Sequence, residues 1–186
     1  MKYNNGSAFR QSLEERLRHR SMETGIPLVR LRKMAAFERF LARLLATQPQ
    51  TWVLKGGLML QVRAGLHART TQDVDLLLRS AATRADIHAM LVEACRPAGE
   101  DWFTYEVARP GGESLRFPVR ALLDGRPFET FHLDVGMGDP LIEPPEILDF
   151  PSLFEFAGLP PLAFPAYPLT QQIAEKVHAC TRPYQA

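Results

Sequence analysis

Cysteine is scarce in this chain: Cys95 and Cys180 are the two among 186 residues. They form no disulfide framework and no metal-type spacing, and a reducing cytoplasm is the compartment expected from such usage. Long hydrophobic runs are also lacking, and none approaches the length that spans a bilayer, so no membrane partner is expected. No signal peptide is expected either, because Met1-Lys2-Tyr3-Asn4-Asn5 leads straight into charged sequence. Repeats and low-complexity tracts are missing. What is present is the composition of a globular protein with a real core, 46% hydrophobic and 23% charged, in a length suited to one domain with an appended element. The net charge of +1 conceals an asymmetry. Residues 1–50 carry ten Lys/Arg against four Asp/Glu, a net of +6, and the remainder is net −5. A basic arm beside an acidic body suits a polyanion partner with metal on the acidic part; a solvated helical face is the plainer alternative.

Periodicity outlines the elements. Residues 8–20 predict a helix with Phe9, Leu13 and Leu17 on one face, ended by Gly25-Ile26-Pro27. A second helix is expected from about Leu28 to Ala46 on the stripe Met34, Phe37, Leu41, Leu44 and Leu45. Thr51 to Leu54 is a short strand, Gly56-Gly57 turns the chain into a helix reaching about Arg63, and Gly65 to Thr71 is loop. Asp73 to Leu78 is a strand, and Thr83-Arg84-Ala85-Asp86 forms a capping box that opens a helix to about Cys95. Trp102 to Val107 alternates as a strand. Leu115–Leu123 and Phe128–Val135 flank Asp124-Gly125-Arg126-Pro127 as a hairpin, and Pro118 puts its first arm at a sheet edge. Pro140 to Pro168 is a stiff, irregular wrap. Thr170 caps a last helix through Cys180 with Ile173 and Val177 inward, and Trp52 and Trp102 are expected in the core.

The chemistry concentrates in Arg69-Thr70-Thr71-Gln72-Asp73-Val74-Asp75-Leu76. Alternate residues of a strand share a face, so Asp73 and Asp75 point together and repel each other unless a cation lies between them. Strand interiors disfavour aspartate, and an exposed strand end is the bland alternative. Mg²⁺ favours one or two carboxylates together with substrate phosphate oxygens. Lys55-Gly56-Gly57 supplies a place for those phosphates: glycines admit close backbone approach, the first helical N–H groups attract anions, and Lys55 adds a full charge. Asp134 interrupts another strand in the same manner. With it, three carboxylates on neighbouring strands could hold two Mg²⁺ ions about 4 Å apart for in-line displacement at phosphorus. His132 shares the face of Asp134, where a hydrogen-bonded structural role competes with substrate contact. Arg16, Arg18, Arg20, Arg30, Arg32 and Lys33 are candidates for RNA phosphate, for an acidic protein partner, or for water alone.

The blocks Val53-Leu54-Lys55-Gly56-Gly57-Leu58-Met59-Leu60, Arg69 to Leu76, His132-Leu133-Asp134-Val135-Gly136 and Ala174-Glu175-Lys176-Val177-His178-Ala179 occur in this order. With Phe37 to Leu44 before them, they resemble the AbiEii/AbiGii-type nucleotidyltransferase toxins of type IV toxin–antitoxin and abortive-infection systems, within the DNA polymerase beta-type nucleotidyltransferase superfamily. The resemblance implies an α/β fold: a small mixed β-sheet flanked by helices, an N-terminal helical pair and the start of a C-terminal helical region. It divides the chain into a helical segment 1–50, a nucleotidyltransferase core 51–140 and a Pro-rich wrap 141–186. Asp73 and Asp75 would bind Mg²⁺, and Asp134 would be a further ligand or the base. Gly56 and Gly57 would cradle the triphosphate of an NTP, Lys176 would neutralise it, and Arg69 and Thr70 would line the pocket. The implied acceptor is an RNA hydroxyl, at the 3′ end of tRNA, with a cognate antitoxin as partner. The alternatives are transfer of a nucleotide or phosphate to a protein hydroxyl, and a non-catalytic nucleotide- or antitoxin-binding module. Three departures stand out: Gly56-Gly57 replaces the superfamily's Gly-Ser, the Gly-to-Asp spacing is longer than the superfamily norm though it suits the narrower family, and family members continue past the Lys176 helix, so a truncated form is expected.

Overall fold

The computed structural model describes residues 3–65, 71–96 and 101–181. The fold opens with helix α1 (Gly6–Thr24). The Asn5 side chain caps it by accepting the Ala8 N–H, and Gly25, at a φ of +70°, closes it in the left-handed conformation that glycine adopts freely. Pro27 then leads into α2 (Leu28–Thr47). Strand β1 (Trp52–Lys55) passes directly into α3 (Gly56–Ala64). After β2 (Asp73–Leu78) comes α4 (Arg84–Ala94), which begins at the expected capping box. β3 (Phe103–Val107), β4 (Arg116–Leu123) and β5 (Arg126–Met137) form an antiparallel meander. β6 (Glu146–Asp149), a 3₁₀ turn at Glu155–Ala157, β7 (Ala163–Ala166) and α5 (Leu169–Thr181) complete it.

The strands make one mixed sheet in the order β3-β4-β5-β2-β1-β7-β6. β2 runs parallel to β5 and antiparallel to β1, and β7 runs parallel to β1. The fold is therefore the mixed α/β arrangement that the sequence implies. On β5, Phe131, Leu133 and Val135 are buried on one face, while Thr130, His132 and Asp134 lie on the other. α2 covers the buried face, with the Phe37 and Phe40 rings meeting Phe131 at 5.0 and 5.6 Å. Each such side chain removed from water stabilises the fold by roughly 1.5–3 kcal/mol. α1 adds Phe9, Leu13 and Leu17, all buried as their spacing predicts. Asp101 pins α2 to the start of β3: it accepts from Arg39 Nε at 2.8 Å and Arg43 Nη2 at 2.6 Å.

Several expectations are corrected. β4 is an interior strand, not an edge. Pro118 sits where the β3–β4 ladder ends: its carbonyl accepts the Ala108 N–H at 2.9 Å, and the one bond it cannot return lies just past the last residue of β3. The path from Pro140 to Pro168 is not wholly irregular: β6 and β7 extend the sheet, with Pro165 inside β7. Trp52 is buried, as expected, whereas Trp102 is partly exposed. Ile173 and Val177 do not face inward; they are 53% and 57% exposed. α5 docks instead through Gln171, which bonds Pro140 O and Ile142 N, and through Gln172. Periodicity marks an apolar face but not what that face meets. The basic arm also has internal work: Arg20 bonds Ser152 O, Arg30 bonds Gly65 O, Arg32 pairs with Glu14 and Glu129, Lys33 meets Gln72, and Arg16 lies over the Phe156 ring.

Candidate active site

Strand register builds the site. Across β1, β2, β5 and β4 the paired residues are Lys55, Asp75, Asp134 and Arg116. The adjacent register sets Asp73 beside His132. Directly paired residues share a sheet face, so two cations flank a group of three carboxylates on the face opposite α2. The sheet thus brings Asp73, Asp75 and Asp134 onto one surface, as the alternation of β2 and β5 predicts.

The three carboxylates have two main counterparts, one for Asp75 and one that Asp73 and Asp134 share. Asp75 turns to the glycine turn, where its Oδ2 accepts the Gly57 N–H at 3.3 Å. Burial raises the Asp75 pKa, the Gly57 bond opposes this, the Asp73 charge raises it further, and Lys176 and Lys55 pull it down. Asp73 and Asp134 are bridged by one guanidinium: Arg116 Nη2 lies 2.9 Å from Asp73 Oδ2, and its Nη1 lies 2.7 Å from Asp134 Oδ2. Burial also raises Asp134, Arg116 lowers it, and Asp75 and Asp73 push it up again. His132 Nδ1 stands 3.4 Å from Asp73 Oδ1.

Sequence reasoning missed Arg116. The signal lies in the hairpin register. The apolar alternations of β4 and β5 coincide only if one residue is skipped, and the register shifts at Ala121/Leu122, with Leu122 opposite Pro127 and Ala121 opposite Glu129. Phe128 is the extra residue of that bulge, which moves Arg116 from opposite Leu133 to opposite Asp134.

The glycine turn differs from the open phosphate cradle expected there. Gln172 Oε1 accepts the Gly56 N–H at 2.7 Å, and Asp75 occupies that of Gly57. Gly56, at a φ of +69°, has no room for a side chain: a Cβ there would stand 2.0 Å from Asp75 Oδ2. Lys55 is paired with Asp139 at 2.8 Å. Lys176 projects from α5 into a cleft of about 750 Å³ that is also lined by Gly57, Thr71, Gln72 and Asp73. Arg69 and Thr70 lie outside the described residues.

The donor set fits a hard divalent cation: oxygen ligands only, from carboxylates among which, after burial, the Asp73 charge raises the pKa of both Asp75 and Asp134. Among the described residues, no three His, Cys, Asp or Glu side chains are gathered as a metal cluster. Arg116 spans two of the carboxylates and the glycine turn holds the third.

This is the fold of a nucleotidyltransferase. Its architecture is similar to that of MenT4, a nucleotidyltransferase toxin from Mycobacterium tuberculosis H37Rv, with a TM-score of 0.70 at 20% identity over 89% of this chain. The chain spans 58% of MenT4's length. JHP933 from Helicobacter pylori is a more distant likeness, with a TM-score of 0.48 at 17% identity, covering 80% of this chain and 56% of that one. No curated protein matches the sequence. The profile of the nucleotidyl transferase AbiEii toxins of type IV toxin–antitoxin systems matches residues 39–186, and the chain belongs to that family. No helix among the described residues is long and apolar enough to cross a membrane.

Proposed function

We propose that this protein is a Mg²⁺-dependent nucleotidyltransferase toxin that moves a nucleotide from an NTP to an RNA hydroxyl, the 3′ end of tRNA being the favoured acceptor. It would act in the cytoplasm and be restrained by a cognate antitoxin. The observation that carries the reading is the placement of Asp73, Asp75 and Asp134 on one sheet face beside the cleft that Lys176 enters. Asp73, Asp75 and Asp134 would hold the cation, which neutralises phosphate charge and aligns the reacting groups. The protein mainly positions. Lys176 meets the triphosphate in the cleft. Gly57 would offer its N–H to a phosphate oxygen if Asp75 released it, and Gly56 keeps the turn thin enough for that exchange. Asp134 takes the proton of the attacking hydroxyl. That oxygen bonds to the α-phosphorus as the bond to pyrophosphate breaks. Lys55, Arg69 and Thr70 border the triphosphate's path.

The test uses each α-labelled NTP in turn with Mg²⁺ and total cellular RNA, beside an Asp73→Ala, Asp75→Ala variant. Label on RNA that the variant loses is the expected result. Label on protein would move the acceptor from RNA to a protein hydroxyl. NTP binding with no label on any species would leave a binding module.

A further inference from the structure

Two arginine–aspartate clusters in this protein have opposite stoichiometry. At Asp101 two guanidinium groups serve one carboxylate, and all three side chains are nearly buried. At the candidate site one guanidinium serves two carboxylates, with Asp75 adjacent as a third acid. The Arg116 side chain is 44% exposed. The first arrangement is a fixed strut. The second leaves uncompensated negative charge around a cation that solvent reaches. Lys55, the cation on the opposite flank of the row, is engaged by Asp139 and does not complete the neutralisation.

Resting on the reading that Asp73, Asp75 and Asp134 hold a divalent cation, we propose that Arg116 is an exchangeable counter-ion that keeps Asp73 and Asp134 together when that cation is absent and is displaced when it binds. The competition is atomic. Arg116 donates to Oδ2 of both Asp73 and Asp134, and an oxygen lone pair directed at a guanidinium N–H is not available to a metal ion. Displacement costs little, because partly exposed ion pairs contribute only modestly. The released group has an evident second use. Its planar fork matches a phosphate, and it hangs from β4 at the border of the face where the NTP would bind. The backbone needs no movement, since Arg116 and Asp134 are fixed opposite each other by the β4–β5 register.

The experiment measures Mn²⁺ binding to the full chain by titration calorimetry and by loss of the free-ion paramagnetic resonance signal, with no nucleotide present. Wild type, Arg116→Gln and Arg116→Lys are compared, with folding checked by circular dichroism. Removing the competitor should tighten Mn²⁺ binding by on the order of tenfold in Arg116→Gln. Arg116→Lys, which keeps a charge but cannot span both carboxylates, should fall between; it carries the test alone if the glutamine variant does not fold. In metal-free buffer Arg116→Gln should melt below wild type and gain more from Mn²⁺. Equal or weaker Mn²⁺ binding by both variants overturns the counter-ion role while leaving the metal site intact. Failure of every chain, wild type included, to bind Mn²⁺ overturns the metal reading and this inference together.

Discussion

The carboxylate of Asp75 rests where a side chain on Gly56 would stand, with Oδ2 only 2.0 Å from the position of a Cβ. Gly56→Ala meets two penalties. A φ of +69° strains any residue with a Cβ, by about 1–3 kcal/mol, and the methyl group pushes Asp75 off the turn. Gly57 carries a lesser constraint, because its nearest neighbour would be the Thr71 hydroxyl at 2.8 Å. Urea denaturation should therefore show a larger stability loss for Gly56→Ala than for Gly57→Ala, and nucleotidyl transfer should be abolished only in the former. Equal losses in both assays would remove the close approach from the explanation.

Gln172 joins α5 to the same turn through the buried bond from Gly56 N–H to its Oε1. Gln172→Leu leaves that donor without its partner, a loss of about 1–3 kcal/mol. It also loosens the first turn of the helix that carries Lys176 one turn later. Hydrogen exchange should accelerate at Gly56 and along α5, and the KM for NTP should rise more than kcat falls. Unchanged protection at Gly56 would show that the bond does not hold the turn.

The site was legible where side-chain alternation alone decides it. Asp73 and Asp75 on β2, and Asp134 on β5, face one way because the hydrophobic residues between them must face the other. The family blocks also led correctly to the nucleotidyltransferase fold. The sequence did not expose relations that depend on pairing. Arg116 reaches Asp134 only through the bulge at Phe128, a register shift that no local propensity announces. Pro165 marked its segment as irregular, yet that segment is β7, lying between β1 and β6. On α5 the apolar stripe suggested burial, while the buried contacts belong to Gln171 and Gln172. A glutamine can pack inward where its polar atoms find partners, and the sequence does not show where those partners lie.

Asp101 tests the buried strut. It receives Arg39, Arg43 and the Phe103 N–H, the last at 3.1 Å. Asp101→Ala removes the counter-charge of the Arg43 guanidinium and leaves it Phe103 O as acceptor, while its Nε and Nη1 already have no hydrogen-bond partner among the described residues. Breaking one side of a buried ion pair costs about 3–5 kcal/mol. Chemical denaturation should report a loss of that order, far above the effect of Glu106→Ala, which breaks the exposed Arg120 pair. A loss below about 1 kcal/mol would mean that the strut is dispensable.

Glu38 gives the fold a pH dependence of defined sign. It is 1% exposed on α2, and among the described residues neither carboxylate oxygen finds a hydrogen bond of good geometry. Burial pushes its pKa up to about 7, and Arg39, the Leu153 backbone and Arg20 offset that only in part. The unfolded chain loses this proton near the ordinary value of 4.5, while the folded chain keeps it to about 7. Between those values the folded state binds more protons, so its stability falls as pH rises through the window and levels off above it. The total is about 3 kcal/mol. Glu38→Gln cannot ionise and should flatten this decline. Urea midpoints taken from pH 5 to pH 8 should converge with wild type at the acid end and lie above it at the alkaline end. Parallel curves for the two proteins would rule out Glu38 as the titrating group.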